Sequence, residues 1–247
     1  MTSSPWFPYR SDFSAPLRLF CLPPAGGGAS LYRTWPAAFA PDVEVVPVQL
    51  PGREGRLGDE PVTSAPELVA RLVEPVLARA GERYALFGHS MGALLAHDLA
   101  VALVEAGRPP EHLLVSAYRP PHLGRRAEDP VERMSDDDLR GYLAERAGTA
   151  REILDLPELM DMVLPVLRAD LVLCQSYRHL PRPPLPVPVT AFGGAEDSGV
   201  TPDQLAAWAE LTTGGFRLRI LPGGHDYLFT GTAAVQEIRA ALPVGAL

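Results

Sequence analysis

The pentapeptide Gly88-His89-Ser90-Met91-Gly92 has the G-x-S-x-G pattern that can present a serine oxygen for nucleophilic attack. Gly and Ser are common, so the pattern gains its weight from context. An apolar run, Tyr84 to Phe87, precedes it, and a helical pattern from Met91 follows it. A sharp strand-to-helix turn crowds the positions flanking the serine, which calls for Gly88 and Gly92. The helix that follows also directs the positive end of its dipole at the same spot. The plainer alternative is a serine that merely caps a helix in a tight turn.

A serine hydroxyl is a poor nucleophile until a base takes its proton. Six histidines are available. His97 falls inside an apolar helical stretch and reads as a core or supporting residue. His89 lies within the turn itself, where its side chain cannot reach back to Ser90. His112, His122 and His179 fall at a strand start or in loops and read as surface residues. His225 differs: it lies in Pro222-Gly223-Gly224-His225-Asp226, directly after the last strand pattern, in a loop able to swing over a sheet edge. It is the expected base.

The base needs a carboxylate to hold its tautomer and stabilise the imidazolium. In serine-elbow enzymes that acid lies between nucleophile and base in the chain. Asp197, in Gly193-Gly194-Ala195-Glu196-Asp197, has that position, with Glu196 as the adjacent rival. Asp203 reads as part of a helix start and Asp226 as a solvated neighbour of the base. A tetrahedral intermediate also needs two backbone donors. The amide of Met91 follows the nucleophile, and the loop Pro24-Ala25-Gly26-Gly27-Gly28 is the expected source of the second. That glycine run is not a phosphate loop, since no G-x-G-x-x-G register fits and no Lys-Ser/Thr follows.

The elements that must position these residues alternate. Strands are expected at Leu17 to Leu22, Val43 to Val48, Tyr84 to Phe87, His112 to Ala117, Val187 to Phe192 and Phe216 to Leu221. Helices are expected at Ser64 to Ala80, capped by Ser64 with Gly81 past its end, then Ser90 to Ala106, Pro202 to Leu211 and Thr232 to Leu242. Alternation of this kind predicts an α/β fold with a mostly parallel sheet covered on both faces. Between Arg125 and Leu180 the rhythm stops. Helical patterns at Ser135 to Ala147, Arg151 to Leu156 and Pro157 to Tyr177 precede a proline-rich stretch that must be extended. The expectation is one domain spanning 1–247, with this region, about 125–182, inserted as a helical lid over the carboxyl edge of the sheet.

With 247 residues, 47% apolar and 21% charged, the chain is large enough for a folded core. A net charge of −8 argues against a general nucleic-acid footprint. Cys21 and Cys174 are far apart and form no CxxC pair, so neither a disulfide framework nor a zinc site is supported, and both read as buried thiols. No stretch has the length of a membrane span. The polar start, Met1 to Ala15, lacks the pattern of a signal peptide. A cytoplasmic monomer without cofactor or metal is expected. All 22 basic side chains are Arg, and Lys and Asn are absent, which points to a GC-rich genome and excludes a lysine Schiff base.

Taken in order, Leu22 to Gly27, Leu50 to Arg56, Gly88 to Gly92, Ser116 to Pro121, Leu167 to Asp170, Gly193-Gly194 with Asp197, and Gly223-Gly224-His225 resemble the type II thioesterases of polyketide and nonribosomal peptide assembly lines, a family of α/β-hydrolases. The resemblance runs from about Leu17 to Leu242. It implies hydrolysis of acyl thioesters on the phosphopantetheine arm of acyl or peptidyl carrier proteins, clearing stalled or misprimed chains. It implies Ser90 as nucleophile, His225 as base, Asp197 as its orienter, and the Ala25 and Met91 amides as oxyanion donors. Two positions depart from the family pattern: Pro24 stands where His is frequent, and Asp226 where an aromatic residue is common.

The residues themselves agree with a thioester, whose thiolate leaves more readily than an alkoxide or amine. Leu159, Met160, Met162, Leu164, Leu167 and Leu171 would give the lid an adaptable apolar wall. Arg125 and Arg126 could meet an acidic carrier. Arg53 and Arg56 could reach the arm's phosphate, or simply shape a turn. Three other readings stand beside this one: a general esterase or lipase, an acyltransferase of the same fold, and a carrier-binding module without catalysis.

Overall fold

The structure, a computed structural model, describes residues 4–9, 15–124, 130–146 and 151–244, with backbone alone at 146 and 151. Six strands form one sheet: β1 (Leu17–Leu22), β2 (Val43–Pro47), β3 (Tyr84–His89), β4 (His112–Ser116), β5 (Val189–Gly194) and β6 (Phe216–Leu221). Their order is β2-β1-β3-β4-β5-β6, and every pair is parallel. β1 to β5 are nearly continuous apolar runs because both of their faces are covered. β6, at the edge, alternates half-buried and exposed residues.

One face is covered by α2 (Ala65–Ala80) and α3 (Met91–Glu105), which share a core with β1, β3 and β4. Ser64 caps α2, its side chain accepting from the Glu67 amide, and Gly81 ends it at φ 68°. α3 is apolar almost all round because it is enclosed almost all round. Each of its fully buried leucines, Leu94, Leu95, Leu99 and Leu103, contributes about 1.5–3 kcal/mol. The other face carries the short α1 (Trp35–Phe39), absent from the sequence reading, and α8 (Ala233–Ala241). α7 (Pro202–Ala206) opens with a Thr201–Gln204 capping box and continues as a 3-10 turn.

Between β4 and β5 the described residues form α4 (Asp136–Arg146), α5 (Arg151–Leu154) and α6 (Pro157–Ser176), with short 3-10 turns before them. α6 buries Met160, Leu164, Leu167 and Leu171 in the same core as α2 and α3. Met162 lies on its other side and is exposed, so it belongs to no apolar wall. No helix among the described residues is long and apolar enough to cross a membrane.

The chain winds from β1 outward to β2, then returns to place β3 on the other side of β1. The switch point of the sheet therefore lies between β1 and β3, and open α/β sheets bind ligands at the carboxyl end of such a point. The loop after β1 and the turn after β3 meet there.

Candidate active site

Ser90 lies between β3 and α3, at the cap of the helix, with φ 53° and ψ −122°, a conformation L-residues rarely hold. The surroundings enforce it. A Cβ on Gly88 would fall inside contact distance of the Gly92 carbonyl, and one on Gly92 would meet the Leu22 carbonyl of β1. The Ser90 amide donates to the Ser116 carbonyl at 2.8 Å, which pins the turn to β4. Crowding expected from spacing alone is thus present as backbone-to-backbone approach.

His225 follows β6 and Asp197 follows β5. Their loops are tied together: the Ala195 amide donates to the Leu221 carbonyl at 2.8 Å, and that of Glu196 to Gly223 at 3.0 Å. A Cβ on Gly194 would collide with the Gly223 and Gly224 carbonyls. Asp197 Oδ1 accepts from the Gly199 amide at 2.8 Å, which turns Oδ2 toward the imidazole. His225 Nδ1 lies 2.7 Å from Asp197 Oδ2, and Nε2 lies 3.0 Å from Ser90 Oγ. A carboxylate only accepts, so Nδ1 carries the hydrogen and Nε2 offers its lone pair to the serine. The side chain of Asp197 is 1% exposed and that of His225 7%. Glu196 is exposed, whereas it is Asp197 that lies at hydrogen-bond distance from the imidazole.

Other expected residues fall in varied places. The Met91 amide is the first of α3, a position without an intrahelical acceptor. In the loop after β1, the Gly27 amide donates to Pro24 at 3.0 Å, and Gly26 has φ 73°. These mark a turn with Ala25 at its first corner. His97 is buried against Trp208, as a core residue should be. His112 corrects the surface reading. It is 8% exposed and lies 2.9 Å from Thr190 Oγ1, joining β4 to β5, and burial lowers its pKa to about 4. His122 and His179 are half-buried rather than exposed, with rings 6.3 Å apart. Arg53 is buried against Asp170, and Arg56 is held by Asp59 and the Gln49 carbonyl, so neither is open to a phosphate. Arg125 and Arg126 lie outside the described residues.

Sequence reasoning missed a support beneath the elbow. His89 Nδ1 is 2.8 Å from Ser116 Oγ, which is 2.7 Å from the Tyr227 hydroxyl. This chain links the elbow, the end of β4 and the base loop. Burial, helped by His225, holds the His89 imidazole well below the ordinary histidine range, so it packs against the base as a neutral ring. The available signals were the adjacency of His89 to Ser90 and the place of Ser116 at the head of the family-like stretch Ser116 to Pro121; Tyr227 gave none.

A parallel sheet of this order, with a strained serine elbow after β3 and an imidazole–carboxylate pair arriving from the last two loops, defines an α/β-hydrolase. The family model described as the thioesterase domain matches residues 17–242. The gramicidin S biosynthesis protein GrsT of Aneurinibacillus migulanus is 38% identical over 226 residues, covering 91% of this chain and 88% of that protein. Among solved structures, the type II thioesterase BorB from the borrelidin biosynthetic cluster superposes with a TM-score of 0.87 at 39% identity, covering 97% of this chain and 98% of BorB. RedJ, the thioesterase of the prodiginine pathway in Streptomyces coelicolor, does so with 0.82 at 41% identity, covering 97% and 92%. The chain belongs to the thioesterase family and is a type II thioesterase, a thioester hydrolase.

Proposed function

We propose that this enzyme edits an assembly line, hydrolysing acyl groups from the phosphopantetheine arm of acyl or peptidyl carrier proteins, with Ser90, His225 and Asp197 as its triad. Ser90 Oγ attacks the thioester carbonyl while its proton passes to His225 Nε2. Asp197 holds Nδ1–H and stabilises the imidazolium. The carbonyl oxygen, now an anion, takes hydrogen bonds from the Met91 and Ala25 amides. The C–S bond breaks and the arm leaves as its thiol, with the His225 proton. Water then enters, gives a proton to His225 and attacks the acyl-serine, and the freed acid and Ser90 Oγ–H restore the site.

The observation that carries this reading is the continuous line Ser90 Oγ, His225, Asp197 at 3.0 and 2.7 Å in a thioesterase family member. The helical segment between β4 and β5 serves in this reading as the lid. Beside it a cavity of about 800 Å³ has Leu94, one turn along α3 from Ser90, together with Tyr118 and Cys174 in its wall, which offers room for an acyl group. The enzyme works as a cytoplasmic monomer in this scheme. Mass spectrometry of acyl-loaded carrier protein tests it. The wild type should return the free-thiol carrier and the acid, while Ser90→Ala should leave the load in place. Equal hydrolysis of a matching oxygen ester would favour a general esterase. Acyl transfer to an added acceptor in place of water would favour an acyltransferase.

A further inference from the structure

The strongest feature outside the triad is a buried ion pair that no step of the proposed cycle uses. Arg53, in the loop after β2, and Asp170, on α6, are 6% and 1% exposed. Their contact is bidentate: Nη1 donates to Oδ2 at 2.6 Å and Nη2 to Oδ1 at 2.7 Å. The pair does not close on itself. Asp170 Oδ2 also accepts from the Gly26 amide at 2.8 Å, and Arg53 Nη1 donates to the Gly27 carbonyl at 2.9 Å. Arg53 Nε reaches back to Pro51 at 3.2 Å. Gln49 completes the frame, donating to the Arg53 carbonyl at 3.0 Å and accepting from the Ala29 amide at 3.2 Å. Two segments remote in sequence, the loop at Gln49 to Arg53 and α6, thus converge on one turn, Pro24 to Gly27.

That turn holds the Ala25 amide. With Gly26 N–H bound to Asp170 and Gly27 N–H bound to Pro24, the peptide planes that follow Ala25 are fixed in both direction and tilt. Leu167 and Leu143 pack over Gly26 from above, so the same helices also limit its movement out of plane. Charge-assisted, bidentate contacts are the stiffest available for such a task. A donor aimed at a developing anion is effective only if it is held in place before the reaction.

We propose that Asp170 and Arg53 are positioning residues for the oxyanion hole, with the carboxylate on α6 setting the orientation of the Ala25 amide. The inference rests on the reading of Ala25 as an oxyanion donor. It also makes α6 more than a cover: the helix supplies the anchor for the donor loop.

The test uses the full-length enzyme, with Asp170→Asn and Arg53→Lys. Asparagine keeps the shape and one accepting oxygen but loses the charge, and lysine keeps the charge but loses the fork. Two probes report on the hole. An acyl trifluoromethyl ketone accepts Ser90 Oγ at its carbonyl carbon, passes the serine proton to His225, and becomes a hemiketal whose oxygen is anionic. The corresponding thioether has no carbonyl and forms no adduct. Asp170→Asn should lower kcat by roughly tenfold to 100-fold with KM nearly unchanged, because the loss falls on the transition state. Affinity for the ketone should fall by the same factor, while that for the thioether should hold. Arg53→Lys should fall between this variant and the wild type. If Asp170→Asn does not fold, as judged by its melting transition, Arg53→Lys decides by the same readings. Unchanged kcat and ketone affinity in a folded variant would overturn the proposal. So would a rise in KM with both probes weakened together, which marks damage to the acyl pocket. A wild type that binds the ketone no more tightly than the thioether would overturn the oxyanion reading itself, and this inference with it.

Discussion

The elbow after β3 and the helical segment between β4 and β5 are held in opposite ways. At the elbow the restraints are backbone contacts: Gly88 against Gly92, Gly92 against Leu22, and Ser90 N–H against Ser116. In the helical segment they are side chains: a leucine face on α6 and one buried ion pair at Asp170. The outer side of that segment is acidic and exposed, with Asp136, Asp137 and Asp138 in the first turn of α4. Backbone restraints give Ser90 a single geometry whatever surrounds it. Side-chain restraints can be repacked.

The largest expected effect breaks the first region chemically and leaves it folded. Ser90→Ala and His225→Ala should each lower kcat/KM on an acyl thioester by about 10⁴–10⁶, the loss expected when a proposed triad acts as a unit. Their melting temperatures should stay close to that of the wild type, because the glycine contacts that form the elbow do not involve either side chain. A folded Ser90→Ala variant with undiminished turnover would end the proposed mechanism. Asp197→Asn should cost less, on the order of 10²–10⁴, because it leaves the nucleophile and base in place while disturbing the tautomer. Glu196→Gln should change nothing, since the residue is exposed and Asp197 is the carboxylate at the imidazole. A loss from Glu196→Gln instead would move the acid by one position.

The second region should respond in stability before it responds in turnover. Leu167 is fully buried and packs over Gly26, so Leu167→Ala should lower the unfolding free energy by about 2–5 kcal/mol in a denaturant titration. Met162→Ala, on the exposed side of the same helix, should change it by less than about 0.5 kcal/mol. Equal losses from both would contradict the one-sided packing of α6.

This contrast also decides what the sequence could reveal. Strand and helix positions were legible because apolar runs between turn signals have one buried solution. β1 and β6 match their expected limits, and β5 begins two residues later than expected. The residues of the proposed triad could be singled out because a glycine elbow and two glycine-rich loops leave distinctive spacing. The supports were not. Asp170 carried a faint signal, an acid on the same helical face as Leu167, Leu171 and Cys174, but nothing in the chain pointed from it to Arg53, 117 residues away. Ser116 and Tyr227 are ordinary residues until the fold joins them through hydrogen bonds. His112 was misplaced for a related reason: a histidine at a strand start is usually solvated, and only the pairing of β4 with β5 buries it.

His112 supplies the smallest prediction, at the seam where the two regions join, because the helical segment leaves the sheet after β4 and returns to it at β5. Burial first, and the Arg217 charge second, lower its pKa to about 4, against an ordinary 6.5 in the unfolded chain. Between those values the unfolded chain binds the proton and the folded protein does not. Stability from this group is therefore complete above pH 6.5 and declines as pH falls toward 4. Between pH 7 and pH 5 the loss should be about 1–2 kcal/mol. Buried His89 and half-buried His179 act in the same direction, so the wild-type slope contains all three. His112→Gln keeps a partner for Thr190 but cannot titrate. Melting temperatures measured at pH 7 and pH 5 should differ less in this variant than in the wild type, whatever its stability at pH 7. An unchanged pH dependence would mean that the β4–β5 seam is not where acid acts, and would leave His89, beneath the elbow, and His179 as the histidines whose protonation loosens the fold.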